Sequence, residues 1–222
     1  MPLDAAQAHY LSGVMRRKPG DQLAIFNGRD GEWSARIDLL GKRGGSLIAG
    51  AQTAPQRDPP DLWLLFAPIK KARTDFIVEK AAELGCARIQ PVQTDFTNSE
   101  RIRRDRLQAH AIEAAEQCGG THVAPVGELL PLARLLSDWD PARRILWADE
   151  ALAGPAAILA GLPLGPWAIL IGPEGGFSDA ERDRLSALPF VTRIALGPRI
   201  LRADTAAVAA IVLWQAALGD WG

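Results

Sequence analysis

The chain has 222 residues, 48% of them hydrophobic and 23% charged, with 25 basic against 26 acidic side chains for a formal net charge of -1. That length holds one large domain or an ordinary domain plus a small one, and a composition this close to the globular average excludes disorder and fibrous repeats. Near-neutrality excludes a global polycation, so any nucleic-acid contact must be local; the two cysteines, Cys86 and Cys118, match neither a disulfide framework nor a four-ligand zinc site and read as free thiols of a reducing, cytoplasmic compartment.

The opening MPLDAAQAHYLSG carries an early acid and no apolar segment behind a basic flank, so it is not read as a secretory signal. Next, DQLAIFNG and EWSARIDLL alternate in polarity around Asn27-Gly28 and Asp30-Gly31, which predicts a small β-rich module. Residues 51–61 contain prolines, charges and no apolar periodicity, and predict an extended connector. The domain boundary is placed there, giving residues 1–58 and 59–222.

Beyond the connector, the runs LWLLFA, ARIQPV, HVAPV, RRILWAD, WAILIG and VTRIAL predict strands, separated by helices over 75–84, 102–117 and 179–188. Strands apolar on both faces and alternating with helices predict an α/β fold whose mostly parallel sheet is covered on both sides. The last helix, 204–218, is apolar almost all round from Ala206 to Trp214. It must be buried, either in its own domain or against a second subunit. Its run is broken by Gln215 and falls short of the ~18 apolar residues of a membrane span, so no membrane is expected.

Two loops could carry chemistry. In WAILIGPEGGFSDAE, residues 167–181, a buried strand runs into Gly172-Pro173-Glu174-Gly175-Gly176, and Ser178 with Glu181 then forms a capping box. In VTRIALGPRILRADTAAV, residues 191–208, a second strand ends at Leu196, Gly197-Pro198 turns the chain, and Arg199 and Arg202 flank Ile200-Leu201. One glycine loop alone reads as an ordinary turn. Two in succession at strand ends, one with a carboxylate and one with cations, fit a bound ligand, because ligands of open α/β sheets sit at the carboxyl ends of strands. Neither loop is G-x-G-x-x-G or G-x-x-x-x-G-K-[ST], so a ligand held mainly by phosphates is disfavoured.

LIGPEGGFSDAE followed by LGPRILRADTA closely resembles the paired signatures of the 16S ribosomal RNA uracil-N3 methyltransferases of the RsmE family, in the SPOUT class of knotted, S-adenosylmethionine-dependent enzymes. The resemblance extends over nearly the whole chain. HYLSGVMRRKPGDQLAIFNGRDGEW looks like the family's PUA-like RNA-binding barrel. IKKARTDFIVEKAAELGCARIQPVQTDFTNSER is similar to its first helix, strand and Ser-Glu-Arg tract, and IEAAEQCGG to its Glu-Ala-x-Glu-Gln segment. Gly120 stands where the family usually has an arginine, and Asp204-Thr205-Ala206 where it has Glu-Thr-Ala.

The resemblance implies a SPOUT-type sheet with a carboxyl-terminal trefoil knot, an exception to the rule against threaded chains. It implies that Leu170, Ile171, Gly172 and Gly176, with Leu196, Gly197, Ile200 and Leu201, wrap S-adenosylmethionine. A homodimer, and 16S ribosomal RNA of the small subunit as substrate, follow in the same way. Loss of the N3 proton leaves negative charge on the uracil ring, and Arg202 is the first choice for the cation that stabilises it. For RNA phosphates the candidates are the clusters Arg16-Arg17-Lys18, Lys70-Lys71-x-Arg73 and Arg101-x-Arg103-Arg104-x-Arg106, with Arg16 and Arg17 in the amino-terminal module first and Arg101 in the second, against the plain reading of solvated surface charge. His9, His110 and His122 have no metal-ligand spacing, and no metal is expected. A non-catalytic RNA-binding protein and a nucleotide-binding α/β hydrolase stay open as alternatives.

Overall fold

In the amino-terminal segment the strands follow the alternation of the sequence. The computed structural model describes residues 1–99, 101–152, 154 and 159–222, so Glu100 of the Ser-Glu-Arg tract lies outside the described residues. β1 (Pro2–Leu3), α1 (Ala5–His9), a π-helical turn (Tyr10–Val14), β2 (Gln22–Phe26), β3 (Glu32–Gly41) and β4 (Gly44–Ala54) come first. The four strands form one antiparallel sheet in the order β1-β4-β3-β2. Asp4 opens α1 with a capping box to Gln7. Leu11, Ala35, Ile37 and Leu47 form the small core. Register shifts between β3 and β4 at Glu32/Trp33, Trp33/Ala35 and Ile37/Leu39 bend the sheet over that core. β4 extends into the expected connector, because Gln52 and Ala54 still pair with Trp33 and Glu32.

The chain divides into two compact units, Met1–Asp58 and Pro59–Gly222. The second contains β5 (Leu62–Phe66), α2 (Lys71–Glu83), β6 (Arg88–Gln93), α3 (Arg104–Cys118), β7 (Leu130–Pro131), α4 (Leu132–Ser137), β8 (Arg144–Ala148), β9 (Trp167–Ile171), α5 (Asp179–Ser186), β10 (Val191–Ile194) and α6 (Ala203–Leu218). Among the described residues its sheet has six strands, all parallel, in the order β10-β8-β9-β5-β6-β7. The side-chain period of two splits each strand between two cores. Trp167, Ile169 and Ile171 of β9 face a core shared with α2, α3 and α6, while Ala168 and Leu170 face a second core shared with α4 and α5. The result is a three-layer α/β sandwich, the architecture that strands apolar on both faces require.

Some local expectations change. HVAPV makes only a single bridge, Val126 to Ile89, since Pro125 has no N–H for a ladder; the sheet edge is the two-residue β7 instead. The short helix α4 has no counterpart among the expected elements. α2 begins at Lys71 rather than 75, a start that the sequence conceals because Lys70 makes no side-chain capping bond. Of α6, Ala203, Ala207, Ala210, Ile211, Trp214 and Gln215 are buried. Gln215 breaks the apolar run without penalty: its Nε2 donates to the Leu84 carbonyl at 2.6 Å. The outer residues Thr205, Val208, Ala209, Val212 and Ala216 remain at least partly exposed. Among the described residues no helix is long and apolar enough to cross a membrane.

Candidate active site

The carboxyl ends of β8, β9 and β10 meet at a cleft of about 310 Å³. β8 contributes Ala148, Asp149, Glu150 and Leu152; the loop after β9 contributes Gly172, Pro173 and Glu174 beyond Ile171; the loop after β10 contributes Leu196, Gly197, Arg199, Ile200, Leu201 and Arg202, and Ala203 and Ala206 of α6 form the back. β9 lies between β8 and β5, and the strand that follows it in sequence, β10, lies beyond β8. The connections therefore change direction here, which is where open α/β sheets leave a crevice.

Of the expected cofactor residues, Ile171, Gly172, Leu196, Gly197, Ile200 and Leu201 line this cleft. Leu170 and Gly176 do not. Leu170 is fully buried in the core on the α4–α5 side. Gly176 has φ +74°, and a Cβ there would lie 1.9 Å from Glu150 Oε1. Gly172 is constrained differently: a Cβ would meet the Phe177 ring at 2.6 Å. Arg202 lines the cleft, is exposed, and makes no side-chain hydrogen bond or ion pair among the described residues. Its neighbour Asp204 is held by Arg73 at 3.2 Å, so pairing of Arg202 with Asp204 is not the arrangement found. Glu174, at the rim, is exposed. Arg16 and Arg17 are exposed in the first unit, Arg16 with φ +54°, and Arg101 is exposed in the second.

Sequence reasoning missed the contribution of β8. The Asp149 side chain has 0% exposure and is held by two guanidinium groups, Arg182 from α5 and Arg193 from β10. Arg182 also holds Glu150 and donates through Nε to the Phe177 carbonyl at 3.1 Å. Burial works against the Arg182 charge, but the hydrogen bonds and charges of Asp149 and Glu150 outweigh it and raise its pKa. Both guanidinium groups lie over Trp147, at 6.0 and 5.3 Å from its ring centroid, and Phe177 meets the same ring edge-on. One ionic cluster thus ties the end of β8 and β10 to α5 and to Phe177 in the loop that follows β9. The sequence signal was a pair of acids directly after the apolar run Ile145–Ala148.

S-adenosylmethionine is an apt ligand for these walls. Gly197 has φ +124°, and nothing lies within 4 Å of where its Cβ would project, so the backbone leaves a space that any side chain would fill. Apolar side chains from Ile171, Leu196, Ile200 and Leu201 suit an adenine and a methionine chain, and Glu150 and Glu174 suit hydroxyl, ammonium or sulfonium groups.

Residues 56–215 match the family model of an RNA methyltransferase domain, and residues 3–48 that of an RNA methyltransferase PUA domain. Ribosomal RNA small subunit methyltransferase E of Rickettsia conorii is 32% identical over 208 residues, 91% of this chain and 84% of that protein. The protein of the same name from Bacillus subtilis is 28% identical over 219 residues, 92% and 85% of the two chains. The crystal structure of ribosomal RNA small subunit methyltransferase E from Neisseria gonorrhoeae, bound to S-adenosylmethionine, superposes with a TM-score of 0.88 at 26% identity, covering 100% of this chain and 93% of that one.

Proposed function

The chain belongs to the family of RNA methyltransferases that includes ribosomal RNA small subunit methyltransferase E, and from that premise we propose that it methylates N3 of a uridine in 16S ribosomal RNA with S-adenosylmethionine. The observation that carries the reading is the cleft itself: a glycine-lined crevice at three strand ends with an uncommitted guanidinium, Arg202, at its wall. The bound cofactor supplies an electrophilic methyl group. Ile171, Gly172, Leu196, Gly197, Ile200 and Leu201, which line the cleft, would hold it. Arg202 would face the negative charge that spreads onto the uracil ring oxygens once N3 gives up its proton. N3 lies on the pairing edge, so the uridine enters unpaired or flipped out.

In this reading residues 1–58 are a PUA-like unit that grips RNA through Arg16 and Arg17, and residues 59–222 are the catalytic unit. The insertion of β9 between earlier strands, followed by the return of α6 against the same layer, supports a trefoil knot through the carboxyl-terminal segment. The apolar outer face of α6 supports a homodimer. A ribosomal substrate implies a cytoplasmic protein.

The test is methyl transfer by the purified chain to 16S ribosomal RNA, free and in assembled small subunits, with the product nucleoside identified and mapped. N3-methyluridine at one position is expected. No transfer to either substrate, or methylation of another atom, refutes the assignment.

A further inference from the structure

The carboxyl edge of the sheet carries two opposite electrostatic faces. On the side of α2, α3 and α6, each acid at a helix start is already matched: Asp75 by Arg106, Asp105 by Arg103, and Asp204 by Arg73. Those pairs also show that the three helix starts adjoin, since Arg73–Asp204 joins α2 to α6 and Arg106–Asp75 joins α3 to α2. Ile69 and Ile102 pack on the core that these helices share, which fixes the segments bearing Lys70, Lys71 and Arg101 to the same layer. After the matching, Lys70, Lys71, Arg101, Arg199 and Arg202 remain exposed without an ion pair among the described residues. On the α5 side the balance is reversed. Exposed Glu174, Asp179 and Asp183, together with Asp95, which hydrogen-bonds Ser178, face solvent there, and Arg184 is the only exposed cation of α5.

Helix stability does not account for the cations. Lys70, Arg103 and Arg202 occupy the N-cap positions of α2, α3 and α6 and make no capping bond, where Ser, Thr, Asp or Asn stabilises and positive charge opposes the helix dipole. α5, on the other layer, has the ordinary solution: Ser178 as cap and Asp179 and Glu181 in its first turn.

We propose that the RNA strand carrying the target uridine reaches the cleft over the α2–α3–α6 layer, with Lys70, Lys71, Arg101 and Arg199 neutralising its phosphates and the acidic α5 side turning it away. The proposal rests on the methyltransferase reading and adds to it the direction of approach, a phosphate contact for Arg199, and the division of the basic clusters into the uncommitted Lys70, Lys71 and Arg101 and the matched Arg73, Arg103 and Arg106. The occupant is a single-stranded polyanion, because N3 is reachable only in an unpaired uridine, and separated point charges neutralise its phosphates without reading base sequence.

The experiment titrates the full-length chain with a fluorescent single-stranded RNA containing the target uridine, over a range of salt concentrations. Replacing Lys70 and Lys71 together by Ala should flatten the dependence of log K on log salt by about 1.4, since each lost contact to a single strand removes about 0.7. Lys70→Arg with Lys71→Arg should restore the wild-type slope, because charge and not side-chain identity carries the contact. Asp183→Asn, on the opposite side, should leave the slope unchanged. S-adenosylmethionine affinity, measured by calorimetry on the same samples, should match wild type in all variants, which confirms that the cleft is intact. An unchanged slope in the double-Ala variant, with wild-type binding normal, overturns the direction of approach and leaves the methyltransferase reading standing. Wild type that neither binds nor methylates the RNA overturns that reading, and the proposal with it.

Discussion

Arg182→Met is the most informative substitution in the second unit, because it removes a hub while keeping apolar contact with Trp147. The change deletes the bonds to Asp149, Glu150 and the Phe177 carbonyl. Glu150 is one-third exposed and rehydrates at little cost, whereas Asp149 has 0% exposure and keeps only Arg193 and the Ala151 N–H at 3.0 Å. Removing one partner of a buried pair costs about 3–5 kcal/mol; with one of two cations retained, about 2 kcal/mol is the reasonable figure. At roughly 2–4 °C per kcal/mol for a unit of this size, the melting temperature should fall by about 4–8 °C. S-adenosylmethionine affinity should fall as well, since Glu150 no longer rests against Gly176. Arg182→Lys should recover only part of either quantity, because one ammonium cannot span three acceptors. Scanning calorimetry and cofactor titration on the same samples give both numbers. A melting temperature within 1 °C of wild type would refute the reasoning, by showing that the cluster contributes nothing net to stability.

Gly197→Val should abolish S-adenosylmethionine binding in a folded protein, seen by calorimetry alongside an unchanged circular dichroism spectrum; retained affinity would remove Gly197 from the site. Arg202→Ala should lower kcat by about 100-fold or more with little change in cofactor affinity, the scale set by loss of a preorganised charge-stabilising donor. Single-turnover methylation near the wild-type rate would count against that role. Burial pushes the Cys86 thiol pKa far above its ordinary value, while Cys118 is exposed. A maleimide should therefore label one thiol per native chain, Cys118, and a second only in denaturant, as mass spectrometry would report.

Much of this was legible in the residues because it is local. The Ser178–Glu181 capping box forms as its spacing requires, and the apolar character of WAILIG on both faces put β9 inside a sheet. What stayed hidden is long-range. Asp149 acquires its meaning from Arg182, 33 residues later, and Arg193, 44 residues later, and no periodicity connects those positions. HVAPV misled because apolar composition outweighed the missing N–H of Pro125. The division between committed and uncommitted cations was equally invisible: Arg73 and Arg202 look alike as letters, yet one is matched by Asp204 and the other lines the cleft.

The central place of β9 bears on how the chain is made. Leu62 pairs with Trp167, 105 positions later, so β5 leaves the ribosome long before its inner neighbour exists. At about 5–20 residues per second, the apolar edge of β5 waits roughly 5–20 s for its partner during synthesis. Through that interval Leu62, Leu64 and Phe66 present a half-built, strongly apolar sheet, the kind of surface that pairs with other nascent chains. Non-local pairing of this sort also slows folding once synthesis ends. The arrangement that places three loop ends around one cleft therefore leaves the newborn chain open to mispairing for that interval, and refolding yield should fall with protein concentration.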